Sequence, residues 1–361
     1  MDSISQVAFG AAVAVAVLPA SRVKRAAAYG AVLGTLPDLD ALIRFSNPVD
    51  SFVYHRSATH SLLILSLFAP ILFLLMRRFD SALQTDSKRW LLAFWLVLFT
   101  HPLLDWFTNY GTQLFWPIVD TPFALGSIFI IDPVYTLPLF CVGILAWRSG
   151  GISVRIRAKR ISKAALLFSC VYLSWTLIAQ AWIRTRVIAA ESAVGNKIAA
   201  NDVAVYAAPL TSFLYRVLIK ENGAQPALDH YRESYVSVFA DVGRAPIWRN
   251  IQRHQSAANS TWATPAVIAK LRTIPDFNRL TRFSQGYYSV MLKPDQTLVL
   301  SDIRMGSEPA YAFNFEFASL KPDGSVQLQA TKQLAGERPD WRALGWIFKR
   351  IYTPELELPM Q

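Results

Sequence analysis

"YHRSATHSLLILSLFAPILFLLM", residues 54–76, sets two histidines and an arginine directly before a long apolar run. Ionisable side chains at membrane depth are costly and usually face a bundle interior or a wet cavity. A helix needs about 20 mostly apolar residues to cross a bilayer, and the run beginning near Thr59 comes close. Comparable runs lie at 4–20, 26–36, 90–107, 128–147 and 164–183. The fragment 26–36 spans only if its helix continues past Pro37 to about Ile43. These runs predict an α-helical polytopic membrane domain of about six crossings over residues 1–185.

The whole chain of 361 residues is 53% hydrophobic and only 17% charged, against about a quarter charged for an ordinary soluble chain. The mean hydropathy is +0.28. Its net charge of +11 would suit nucleic acid if the basic residues formed a continuous face, but they gather elsewhere. Arg22, Lys24 and Arg25 lie in one short loop, and Arg77, Arg78, Lys88 and Arg89 lie in a second. Arg148 leads a third, with Arg155, Arg157, Lys159, Arg160 and Lys163. Short loops rich in Lys and Arg stay cytoplasmic, so the charge reads as topology and excludes a nucleic-acid partner. The alternate loops, 44–58 and 108–127, hold only Arg44 and Arg56. The start MDSISQ lacks a basic n-region, which predicts a retained first helix with its N-terminus outside.

The C-terminal part, 186–361, reads as a water-facing α+β domain, mostly antiparallel β. "VAVYAAPLTSFLYRVLI", "HYRESYVSVFADV", "GYYSVML", "TLVLSDIRM", "AYAFNFEFASL" and "SVQLQATKQL" alternate as half-buried strands do, divided by KPDQ, GSEP and KPDG turns. Residues 265–280 and 339–351 suit short helices. The six-crossing topology puts this domain outside the membrane, and the basic stretch 148–163 is the expected linker within the membrane half. Cys141 and Cys170, inside apolar runs, read as small buried hydrophobes.

Under that topology the ionisable residues of the membrane half converge on the outer face. Asp38 and Asp40 end the second helix, His55 and His60 flank the start of the third, and His101 and Asp105 end the fourth. Asp132, before a proline, reads as a helix cap. His101 and Asp105 stand i, i+4, on one helix face, and Pro102 between them invites a kink. Asp38 and Asp40 are about 200° apart on a helix and His55 and His60 about 140°. Neither pair would therefore share an ion unless the chain leaves the helix there. Ser57 or Thr59 as N-cap would put His55 in the loop and His60 in the first helical turn. Nitrogen and carboxylate donors without thiolate suit zinc first, or manganese or iron, as one ion or two. Arg56 can hold a phosphate or carboxylate in bidentate fashion. His230 and His254 have no neighbouring ligand pattern.

The stretches "GAVLGTLPDLDAL", "YHRSATHSLL", "THPLLDWFTNYGTQLFWP" and "IIDPVY" resemble the YdjM-like family, bacterial and archaeal inner-membrane proteins described as metal-dependent hydrolases. The resemblance covers roughly residues 1–185. It implies a membrane-embedded hydrolase with a divalent metal ion on Asp38, Asp40, His55, His60, His101 and Asp105; Thr108 and Gly111 also match its pattern. The reading that follows is hydrolysis by metal-activated water at the outer membrane interface, with Asp38 and Arg56 as catalytic candidates. The substrate would be a lipid-like amphiphile or phosphoester. The rival readings are an ion- or proton-coupled transporter, and a membrane anchor whose structural metal presents the C-terminal domain.

Overall fold

The computed structural model describes residues 1–223, 229–256, 262–336 and 341–356. The chain divides into two units. One holds Met1–Ile43, Tyr54–Ile178 and Pro209–Ser212; the other holds Arg44–Val53, Ala179–Ala208 and Phe213–Gln361. The boundary expected at 185 thus falls inside a helix, and a short piece of the N-terminal half belongs to the C-terminal unit.

The first unit is helical: α1 (Ser3–Val17), α2 (Val23–Thr35), α4 (Leu62–Phe79), α5 (Ser87–Trp106), α6 (Pro133–Arg148) and the start of α7 (Ile152–Ala193). The short α3 (Pro48–Tyr54) lies between α2 and α4. Two of these helices, α4 and α7, are long and apolar enough to cross a membrane. Most of each apolar window is exposed, with only 17% of that of α4 and 28% of that of α7 buried. Leu63, Leu67, Ile71 and Leu74 of α4 and Leu167, Val171 and Ile178 of α7 face outward, an apolar surface suited to lipid.

Several expectations need correction. The second helix stops at Thr35, and Pro37 opens a 3₁₀ turn, Pro37–Leu42, instead of continuing the helix to Ile43. Its 13 residues rise about 20 Å, short of the roughly 30 Å of a hydrocarbon core. The cap of α4 is Ser61, whose hydroxyl accepts from Ile64 N, so neither Ser57 nor Thr59 starts that helix. His60 sits in the preceding 3₁₀ turn, Ala58–His60. The stretch 148–163 is not a linker, because α7 already begins at Ile152. Cys141 and Cys170 are exposed; in a helix apolar on every side, apolarity does not distinguish the outer face from the inner.

Helix α1 packs against α2, α5 and α6. Its crossing with α2 runs on glycine: an added Cβ at Gly10 would overlap Gly30 O, one at Gly30 would overlap Gly10 O, and one at Gly34 would overlap Gln6 O. Small residues spaced by four let membrane helices approach this closely. Asp132 caps α6, accepting from Val134 N and Tyr135 N, and takes the Tyr172 hydroxyl at 2.8 Å.

The second unit is built on two sheets. One, of order β1–β2–β3–β4, joins Val203–Ala207, Leu214–Glu221, His230–Ser237 and Arg249–Gln252, all antiparallel. The other has the order β11–β10–β7–β6–β5. Its strands β5 (His254–Ser256), β6 (Tyr288–Leu292), β7 (Thr297–Asp302), β10 (Asn314–Leu320) and β11 (Val326–Leu334) pair antiparallel except β5 with β6, which is parallel. The KPDQ and KPDG turns join β6 to β7 and β10 to β11, and GSEP closes a small hairpin of β8 (Gly306–Ser307) and β9 (Ala310–Tyr311). Helices α8 (Pro265–Leu271), α9 (Pro275–Phe283) and α10 (Trp341–Arg350) complete the unit. Residues 339 and 340 of the last expected helix lie outside the described residues.

Candidate metal centre

Three corners of the first unit supply the site. The proline-initiated 3₁₀ turn after α2 carries Asp38 and Asp40, the turn before α4 carries His60, and the last turns of α5 carry His101 and Asp105. His60, His101 and Asp105 are buried, and the Asp38 side chain is 13% exposed. One donor atom from each of Asp38, His60, His101 and Asp105 lies within 4.8 Å of every other.

The separations are informative. His60 Nε2 and His101 Nε2 stand 3.2 Å apart. His60 Nε2 lies 3.4 Å from Asp38 Oδ1 and 3.2 Å from Asp105 Oδ2; His101 Nε2 lies 3.5 and 3.6 Å from the same atoms. These are five of the six edges of a tetrahedron, and the sixth, between the two carboxylates, is within 4.8 Å; edges of about 3.4 Å surround a centre about 2.1 Å away, the length of a zinc bond to imidazole nitrogen or carboxylate oxygen.

The hydrogen bonds on the far sides of the rings fix where their protons sit. Nδ1 of His101 faces the carbonyl of Gly34 at 2.9 Å, and a carbonyl only accepts, so Nδ1 carries the proton. The Thr59 hydroxyl donates to Asp40 Oδ2 at 2.7 Å, which leaves its oxygen to accept from His60 Nδ1 at 3.0 Å. When neutral, each ring therefore presents an Nε2 lone pair to the other. Such a pair repels unless a proton or a metal cation lies between them, and neutral imidazole oriented from behind is the form that binds metal. Asp105 Oδ2, which stands within 3.6 Å of both Nε2 atoms, is buried without a hydrogen-bond partner, a costly state for carboxylate that a cation relieves. The four residues thus fit a divalent ion.

The remaining sequence candidates stand one layer out. Asp40 faces His55 Nδ1 at 2.9 Å and accepts from Arg56 N at 2.9 Å as well as from Thr59. It ties together the chain around His60, and neither it nor His55 is in the four-residue group. Arg56 adopts the left-handed region at φ 62°, uncommon for a residue with a Cβ and characteristic of functional sites. It is held there from both sides, by Asp40 on its N–H and by Gln113 N donating to its carbonyl at 3.0 Å. Its guanidinium lies over the Tyr110 ring at 5.3 Å, with Nε 3.5 Å from Asp105 Oδ2. Nε and Nη1 are buried without a hydrogen-bond partner. His230 pairs with Glu221 at 3.1 Å, and His254 packs edge-on to Trp262; both are in the other unit.

Sequence reasoning missed Gln6, Thr59 and Gly34. Gln6 Nε2 donates to Asp105 Oδ1 at 3.0 Å and to the His101 carbonyl at 3.2 Å, and the amino group of Met1 also bonds Asp105 Oδ1. A glutamine inside an apolar run was the available signal. The two pattern residues without an assigned role are structural. Thr108 closes α5 by donating its hydroxyl to the Asp105 carbonyl at 2.7 Å, and Gly111 turns the chain at φ 114°, a region open mainly to glycine.

Comparison with known proteins gives a family. A family model described as YdjM inner membrane protein matches residues 1–183. No curated protein and no solved structure matches the chain. The matched half contains all four residues of the group, helix α4 and most of α7, and the chain belongs to the YdjM inner membrane protein family.

Proposed function

We propose that this protein is a metal-dependent hydrolase of the inner membrane, with the ion held by Asp38, His60, His101 and Asp105. The observation that carries this reading is the two Nε2 atoms standing 3.2 Å apart with oxygens of Asp38 and Asp105 3.2–3.6 Å from them. A bound divalent ion of this kind lowers the pKa of a coordinated water toward neutrality and polarises an ester or phosphoester oxygen. Around it, the chain supplies the rest. Thr59 and the Gly34 carbonyl hold the two imidazoles in their metal-binding tautomer. Arg56, with buried N–H groups to spare, grips an anionic oxygen of the substrate. Asp38, the most exposed of the four, would hold the ion from the open side and is the candidate to accept a proton.

The way in lies beside Asp38. Its 3₁₀ turn and the cap residue after it expose Leu39, Leu42 and Ile43, at 48, 76 and 54%, so an apolar lip adjoins the charged group. That combination suits an amphiphile whose headgroup reaches the ion and whose chain stays on the lip. In this reading α4 and α7 cross the bilayer with their basic ends inside, the other apolar helices pack beside them, the site opens on the outer side and the C-terminal unit is extracytoplasmic. Metal analysis of detergent-purified protein tests the proposal. Stoichiometric zinc, manganese or iron, lost in His101→Ala, is expected together with hydrolysis of a phosphoester or acyl lipid. Metal-free protein with no such turnover contradicts it.

A further inference from the structure

Residues 44–53 interrupt the site in sequence: Asp38 and Asp40 precede them, and His55, Arg56 and His60 follow. Yet the whole segment belongs to the C-terminal unit. Phe52 is 4% exposed, with ring centroids 4.6, 4.8 and 5.1 Å from those of Phe283, Phe313 and Phe315. Asp50 pairs with Arg279 of α9. Asn47 donates to both carboxylate oxygens of Asp276 at 3.1 Å, and Asp276 also takes the Thr331 hydroxyl at 2.6 Å. An ordinary connection runs over the surface and packs little; this one is a piece of another unit's core.

The base of the same loop is closed by a single side chain. Asp40 binds the far strand three times over, through His55 Nδ1, Arg56 N and the Thr59 hydroxyl. Thr59 in turn sets the His60 tautomer. Loop 41–55 is therefore fixed at its tip by the C-terminal unit and at its base by the residue that orients the metal-binding turn.

Resting on the metal reading above, we propose that Phe52 and the Asp50–Arg279 pair are positioning residues for the metal centre. By fixing α3 they hold Asp40 against His55 and Arg56, so the C-terminal unit sets the affinity of a site to which it contributes no ligand. Freeing the tip restores conformational freedom to the loop, and the base contacts then have to order it alone.

The test uses the full-length chain in detergent, with zinc titration and hydrogen–deuterium exchange on wild type, Phe52→Ala, Phe52→Leu, Arg279→Met and His101→Ala. Loss of an outer support of this kind lowers metal affinity about 10-fold or more, expected in Phe52→Ala and Arg279→Met and largely recovered in Phe52→Leu. Without metal, the amides of 54–61 should exchange faster in Phe52→Ala, while the β1–β4 sheet exchanges as in wild type. Arg279→Met keeps the aromatic packing, so it answers the question if Phe52→Ala does not fold. Unchanged zinc affinity and unchanged exchange at 54–61 overturn the proposal while leaving the metal site standing. Absence of zinc binding in wild type overturns the metal reading instead, and exchange at 54–61 then decides whether the tip orders the loop.

Discussion

At the scale of single residues, the account depends on which ring nitrogen carries the proton. Thr59 holds His60 in the Nδ1–H form only because its own proton goes to Asp40. Thr59→Val removes the acceptor, and zinc affinity is expected to fall by about 10- to 100-fold, with Thr59→Ser restoring most of it; titration with a competing chelator measures both. Arg56 is argued to act on substrate and not on metal. Arg56→Gln should therefore keep full metal content and lower kcat/KM by about two orders of magnitude, the usual cost of removing a transition-state donor. His101 and Asp105 were legible in the sequence because i, i+4 spacing survives in α5 even with Pro102 inside it. Gln6 was not, because a lone polar residue in an apolar run carries no partner's address. Asp40 and His55 could be grouped with the ligands by sequence, but their separation into an outer layer depends on the turn geometry after Pro37.

At the scale of elements, the α1–α2 crossing sets the depth of the site, since Gly34 provides both the close approach to Gln6 and the carbonyl behind His101. Gly30→Val forces the helices apart. Overpacking of this sort costs about 1–3 kcal/mol, seen as a lower Tm in detergent together with weaker metal binding. The C-terminal sheets offer a pH prediction. Glu233 on β3 is buried, which pushes its carboxyl up, but Arg216 and Arg249 outweigh burial and hold it below its ordinary 4.5. A lowered carboxylate stabilises the fold above its unfolded pKa and loses that contribution as pH falls through the folded value. Stability from this group is therefore flat from about pH 7 to 5 and declines below about 4.5, a decline that melts of Glu233→Gln should lack. The strands were readable from alternation and turn residues. β4 and β5 were missed because strands of four and three residues show no clear period.

At the scale of the whole molecule, hydropathy located the helices but not their ends or faces. It could not reveal that α2 stops at Thr35, nor that residues 44–53 belong with a sheet formed by residues more than 200 positions later. That assignment is a long-range packing choice made by Phe52, and nothing local encodes it. The claim on which everything else rests is a single ion between two imidazoles and two carboxylates. X-ray absorption at the metal edge of detergent-purified wild-type protein tests it most directly. The expected spectrum has a nitrogen–oxygen shell of the four side chains and one water at about 2.0–2.2 Å with outer-shell scattering from two imidazoles, and His101→Ala should lose the metal or one imidazole. Protein that takes up no stoichiometric metal, or a spectrum without imidazole scattering, would contradict the account.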